Sequence, residues 1–556
     1  MRITGNIIDI HQRKIFFGEL SIENGIITDI QEMPGESLRY ILPGFVDAHV
    51  HIESSMLVPT EFARMAVVHG TVATVSDPHE IANVMGGQGI RFMLDNAEKT
   101  PFKFFFGAPS CVPATMFETA GANLHAGSVE YLLKNPDIWY LSEMMNYPGV
   151  LQEDEEVMKK LTAAKTLGKP IDGHAPGLMG DEARRYFLAG ITTDHECFTY
   201  EEGLEKAKLG VKILIREGSA AKNFDALIPL LEAFPDQIML CSDDKHPDDL
   251  AIGHINQLVA RALQKGFDFF DVLRSACLNP VEHYKLPVGL LRVGDPADFI
   301  LTNDIEHFTI TETYVDGKLV AENGTTKLPN VLSEPVNNFN TSFKTPDDFA
   351  IHLPISYAHK PNQQSHQEEA VKLRVIKALD GQLITDSFWA TAKSIQGRAV
   401  ADPDNDILKI TVINRYEDAS PSTAFVHGFG LKRGAIASSV GHDSHNILAV
   451  GTEDRLLCQA VNLIIENKGG IAAVSGGGEE RLLQLPVAGI MSTQDGYEVG
   501  QHYAAIDNFV KEVLGSNLSA PFMTLSFMAL LVIPALKLSD KGLFDGKEFR
   551  FVGLFE

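Results

Sequence analysis

Eight short apolar runs, separated by segments of helical periodicity, constrain the fold more than any other feature of this sequence. They are FVDAHVH (45–51), TVATVS (71–76), KFFFGA (103–108), IWYLSE (138–143), PIDGH (170–174), ITTDH (191–195), VKILIRE (211–217) and IMLCSDD (238–244). Strands alternating with returning helices predict an α/β fold, and eight repeats predict a (β/α)8 TIM-like barrel over 45–284. Several runs end in His, Asp or Glu. The C-terminal strand ends of such a barrel share one face, so chemistry is expected there.

The flanks read differently. Residues 1–44 alternate β-like runs with turn signals, Asn24-Gly25 among them. After a helix over 271–284, GLLRVGDPADFILTN and TYVDGKLVAENG return to strand character. They are expected to pair with the N-terminal runs as a composite β-sandwich of 1–44 plus 285–327. The Pro/Asn/Ser/His-rich stretch 328–367 is predicted to be a linker or long loop. Residues 368–556 predict a separate C-terminal α+β domain. Its apolar run Ala520 to Leu536 is interrupted by Pro521, Thr524, Ser526 and Pro534, so a buried core element is expected there and no membrane span.

Composition narrows the function classes. A chain of 556 residues implies several domains. Its formal net charge of −26 repels phosphate backbones, so no nucleic-acid partner is expected. The N-terminus MRITGNIIDI lacks the basic start and apolar core of a signal peptide. The five cysteines, Cys111, Cys197, Cys241, Cys277 and Cys458, are scattered without a C-x-x-C pair. That pattern predicts a reduced, cytoplasmic protein with neither a disulfide framework nor a cysteine-zinc site.

The sharpest local signal is PGFVDAHVHIE (43–53). Residues two apart on a strand face the same side, so His49 and His51 can reach one metal together. An isolated H-x-H is weak, because polar strand ends often carry histidines that are merely hydrogen-bonded. Here Glu143, His174, His195 and Asp243 stand at later strand ends. Together they place four histidines and two carboxylates on one rim.

This arrangement resembles the amidohydrolase superfamily. The resemblance implies two divalent metal ions held by His49, His51, Glu143, His174 and His195, with Asp243 beside the metal-activated water. Many members use a carboxylated lysine as the bridge; the fourth run here offers Glu143. Within the superfamily the chain is similar to the bacterial adenine deaminases. The wording that carries this is PGFVDAHVHIESSM (43–56), DPHEIANVMG (77–86), EMMNYPGV (143–150), DGHAPGL (172–178), DHE (194–196), REGSAAKN (216–223), CSDDKHPDDL (241–250), LNPVEHY (278–284), GDPADF (294–299), GHDSHN (441–446) and the segment 521–543. The resemblance covers nearly the whole chain and is thinnest before Pro43. It implies hydrolysis of adenine to hypoxanthine and ammonia in purine salvage, with Mn or Fe as the metal, although such ligands also suit Zn. A dimer or tetramer is the expectation for soluble enzymes of this kind.

Such chemistry needs hydroxide at neutral pH, which a metal supplies by lowering the pKa of water to roughly 7. Asp243 is expected to take that proton and pass it to the leaving amine, with metal ligation or the orienting of a ligand as its other role. Protonation of the ring at N1 falls to His79 or Glu80, with Glu196 a third candidate, and any of them can instead orient a ligating histidine. Arg216, Glu217 and Ser219 of REGSAAKN are candidates for purine contact, or for a helix start capped by Ser219. His442, Asp443 and His445 can act as a lid over the barrel mouth, hold a peripheral metal, or stabilise a domain interface. Ser475-Gly476-Gly477-Gly478 is no phosphate loop, since no G-K-[ST] follows. The H-x-E/P-C-x-x-C signature of the zinc deaminases is missing too. The alternative activity is cyclic-amide hydrolysis of the dihydroorotase or hydantoinase kind, which usually employs the lysine bridge. A non-catalytic scaffold would lack the ligands that are present.

Overall fold

A computed structural model describes residues 1–354 and 371–556. Four strands open the chain: β1 (Arg2–Asp9), β2 (Lys14–Glu23), β3 (Ile26–Glu32) and β4 (Tyr40–Pro43). Asn24 and Gly25 join β2 to β3 with φ of 51° and 80°, the two positive values a type I′ hairpin demands.

The barrel follows. Its strands are β5 (Phe45–Val50), β6 (Thr71–Ser76), β7 (Lys103–Ala108), β8 (Ile138–Met144), β9 (Ile171–Gly173), β10 (Thr193–Asp194), β11 (Lys212–Arg216) and β12 (Ile238–Cys241). Paired neighbours run parallel. The Thr192 N–H donates to the Ile171 carbonyl at 2.9 Å and ties β9 to β10; Asp243 N–H donates to His49 C=O, also at 2.9 Å, and closes β12 on β5. The eight predicted runs are thus the eight staves, and their polar ends share one rim.

After a helical segment over 269–284 the chain forms β13 (Phe299–Thr302), β14 (Ile310–Val315), β15 (Lys318–Glu322) and β16 (Thr325–Thr326). These join the first four strands in one eight-stranded sheet of order β16-β15-β14-β13-β4-β1-β2-β3. Ile3, Ile7, Leu20, Ile22, Ile41, Phe299, Leu301 and Tyr314 pack as its core. Strand β13 lies antiparallel to β4, with Phe299 opposite Pro43, so the segment entering the barrel is held by one that has left it.

Of the expected linker 328–367, residues 355–367 lie outside the described residues. The rest runs mainly as an extended strap, with the Asn338 side chain donating to the Val84 carbonyl and Ala488 N–H donating to Val336 C=O. A single helical turn, Pro346–Phe349, and a short strand, Ile351–His352, interrupt it.

The C-terminal domain is built on a second eight-stranded sheet, with Ala435–Ser438 and Ile447–Gly451 adjacent near its middle. Side chains alternate between faces, as a pleat requires. Ala435, Ala437, Ile447 and Ala449 pack under the helix Asp454–Glu466, whereas Ile436, Leu448 and Val450 join the core that also contains the barrel's Met56, Leu57 and Val58. Burial of that second face fixes the domain against the barrel mouth. The loop between the two strands carries Gly441 to Asn446 directly to the rim. The apolar run near the end forms the short buried helix Pro521–Phe527, and no helix among the described residues is long and apolar enough to cross a membrane.

Candidate active site

The rim gathers the predicted ligands. His49 Nε2 and His51 Nε2 lie 3.2 Å apart, each facing Asp243 Oδ1 at 3.5 and 3.3 Å. Glu143 stands between the histidine pairs: Oε1 is 3.6 Å from His51 Nε2, and Oε2 is 2.9 Å from both His174 Nδ1 and His195 Nε2. Every one of these side chains is buried. Asp243 sits at a φ of 54°, in the left-handed region that few side chains adopt, where the chain turns past the end of β12.

Their chemistry fits a divalent metal. Nitrogen and carboxylate donors from three overlapping groups, His49/His195/Asp243, Glu143/His174/His195 and His51/Asp77/His79/Glu143, lie close enough to share ions. Burial lowers the affinity of His49, His51 and His174 for a proton, yet neighbouring carboxylates outweigh it and raise all three; His174 reaches about 9. Burial would likewise raise Glu143, but His174 and His195 hold it well below the usual carboxylate range. A buried site that draws positive charge this strongly is suited to a cation.

A second layer fixes the first. Arg216, on β11, forks onto Glu196 and donates to Asp243 Oδ2 at 2.8 Å. Burial favours a neutral Asp243, but Arg216 and then His49 and His51 hold it ionised. Asp47 ties the H-x-H strand to β12, accepting from Ser242 N–H at 3.0 Å and from His254 Nε2 at 2.8 Å. Lys206, wholly buried on the helix Tyr200–Lys208, donates to the Ala175 carbonyl, Asp194 and Glu202, each at 2.7 Å. It thereby pins the residues adjoining His174 and His195.

Opposite the ligands lies the other domain. The Glu80 carboxylate is gripped by His442 Nδ1 and His445 Nε2. Burial would raise its pKa, but those imidazoles, with His79, hold it well below the ordinary range. His79 anchors Nδ1 on Asp77 Oδ2 at 3.0 Å and turns Nε2 toward Glu80 and Asp443 at 3.5 and 3.7 Å. These groups and the rim line one cavity, with Leu383, Phe527 and Leu530 as its apolar cover.

Three sequence expectations land elsewhere. Arg216 is in the site, but its two terminal nitrogens are committed to Glu196 and Asp243 and it does not line the cavity. Glu217, the next residue along the strand, points to the opposite side and pairs with Arg261 at 2.5 Å. Ser219 neither lines the cavity nor caps its own helix: it donates to Asp249 and accepts His246 N–H, bracing the loop after β12. Glu196 lines the cavity, as do His442 and Asp443, while His445 acts behind Glu80.

Sequence reasoning missed four contributors. Asp244 lines the cavity and accepts from Ser54 Oγ at 2.6 Å; the doubled Asp of CSDDKH was its signal. Glu53, two residues past His51, is buried with its pKa pushed up to about 7 by desolvation. Phe527 read only as core, and Leu383 carries no chemical signal in the sequence.

Residues 40–320 match the Amidohydrolase family, and residues 382–550 match the adenine deaminase C-terminal domain. A protein of Sulfurovum sp. named adenine deaminase is 57% identical over 99% of this chain and 99% of its own length. The chain belongs to the adenine deaminase branch of the amidohydrolase family. Proteins of the same name from Salinibacter ruber and Methanosarcina mazei are each 52% identical, over 100% and 99% of this chain and 98% and 99% of their own. That full-length likeness spans both halves of the site, the barrel rim and the C-terminal loop that closes on Glu80.

Proposed function

We propose that this site hydrolyses adenine to hypoxanthine and ammonia. One observation carries the reading beyond family membership: the histidine and carboxylate rim faces a slot whose far wall pairs a polar arc (His79, Glu80, His442, Asp443) with an apolar cover (Leu383, Phe527, Leu530). A flat purine, apolar on its faces and studded with donors and acceptors around its edge, matches such walls.

We assign His49, His51, Glu143, His174 and His195 to two divalent cations, Mn or Fe by family likeness. Bound there, the cations would bring the pKa of water to roughly 7 and so make hydroxide available at neutral pH. Asp243 moves the protons: it is held ionised by Arg216, takes a proton from water as the C6–O bond forms, and delivers it to the amino nitrogen as the C6–N bond breaks. His79, oriented by Asp77, supplies the proton to ring N1, because neighbouring carboxylates outweigh burial and keep its imidazole charged, and it recovers one when the C6 hydroxyl loses its proton to give the keto product. Glu80, ionised by its two histidines, serves as an acceptor for the purine edge. The cover excludes bulk water, which strengthens each of these contacts. All five cysteines are buried and free, which fits a reducing compartment, and we place the reaction in the cytoplasm.

The test is spectroscopic. Metal-loaded protein mixed with adenine should shift the ultraviolet spectrum to that of hypoxanthine and release one ammonia per base. Unchanged adenine, with a cyclic ureide or imide opened instead, would assign the site to cyclic-amide hydrolysis.

A further inference from the structure

Lys537 lies on the strand Leu536–Ser539 in the C-terminal domain and is wholly buried. No carboxylate pairs with it among the described residues; its amine donates to two main-chain carbonyls, Leu383 at 2.6 Å and Phe527 at 2.9 Å. Those are two of the three residues that cover the cavity. Placing an amine in such surroundings is unfavourable, and an apolar side chain of like length would pack there more cheaply, so its two bonds mark what the position requires. The Phe527 carbonyl, at the end of the helix Pro521–Phe527, accepts the Leu530 N–H at 3.2 Å, and the Lys537 amine is its second and shorter donor, tying that helix end to the strand. The Leu383 carbonyl belongs to a loop otherwise stitched to the same strand through Thr385, whose hydroxyl donates to Leu536 C=O at 2.8 Å.

We propose that Lys537 is a positioning residue for substrate binding, fixing the two carbonyls from which the cover over the cavity hangs. Its reach extends to the polar arc. The Phe527 ring lies 5.4 Å from that of His442, and Ser526 Oγ accepts the His442 N–H at 3.1 Å. His442 in turn grips Glu80. One amine thus sets both the apolar faces and one polar edge of the slot, while touching neither the substrate nor a metal ligand. The inference rests on the reading that the slot receives adenine.

Adenine kinetics of the full-length, metal-loaded wild type, Lys537→Met and Lys537→Gln test it, with metal content measured alongside. Lys537→Met removes both donors at similar length. It should raise KM by about ten-fold or more and change kcat by less than about three-fold at unchanged metal content. Glutamine keeps an amide donor but is one bond shorter, so its KM should fall between the two. If the methionine variant does not fold, the glutamine variant decides: a rise of about three-fold or more supports the proposal, and a wild-type KM overturns it. Variants that lose thermal stability yet keep the wild-type KM would make Lys537 merely structural. A wild type that leaves adenine untouched overturns the functional reading and this proposal together. A wild type active on adenine, with both variants at its KM, overturns this proposal alone.

Discussion

Asp243 holds two positions at once. One oxygen is 2.8 Å from the Arg216 guanidinium and the other faces His49 and His51 within 3.5 Å. An amide in its place keeps the shape and one acceptor oxygen but cannot accept a proton. Asp243→Asn should therefore retain most of its metal and lose adenine turnover by roughly 100-fold or more, the scale of general acid–base catalysis. Metal analysis with steady-state kinetics checks this, and near-normal turnover would remove Asp243 from proton transfer. At this scale the rim was legible, because a His, Asp or Glu ending an apolar run is conspicuous and six of the eight runs end so. Arg216 and Glu217 were not separable, since neighbours on a strand face opposite sides and nothing local in VKILIRE sets which of the two faces the barrel.

At the scale of elements, the short strand Leu536–Ser539 and the helix Pro521–Phe527 form the support of the cover, and Lys537 joins them. Burial pushes this lysine down to about 7, against an ordinary value of 10.5. Between those values the unfolded chain binds the proton and the folded chain does not, so stability rises with pH across the window. Below about 7 the full penalty applies; above about 10.5 it vanishes. Relative to Lys537→Met, the wild type should gain stability as pH is raised from 7 toward 10. Urea midpoints of the two proteins at several pH values measure it, and a pH-independent difference would show that the lysine is not buried as described. Nothing local in the sequence marks this support, because ALLVIPALKLSD differs little from any buried segment.

Across the whole molecule, the active site is a seam. The barrel offers the ligands, and a loop some 360 positions away in the chain closes on Glu80. A shared apolar core holds the two parts together. The GHDSHN segment stood out as polar in an apolar setting, yet its partner was invisible, because no periodicity relates residues so far apart. The central claim is that the rim binds divalent cations and thereby makes water reactive toward adenine. Stepwise addition of Mn²⁺ to metal-free protein, with adenine turnover followed at each step, tests it most directly. Activity should begin near zero, rise with added metal and level off at two ions per chain, while Glu143→Ala binds the ions weakly and regains little. Full adenine turnover by the metal-free protein, or a Glu143→Ala titration identical to that of the wild type, would contradict it.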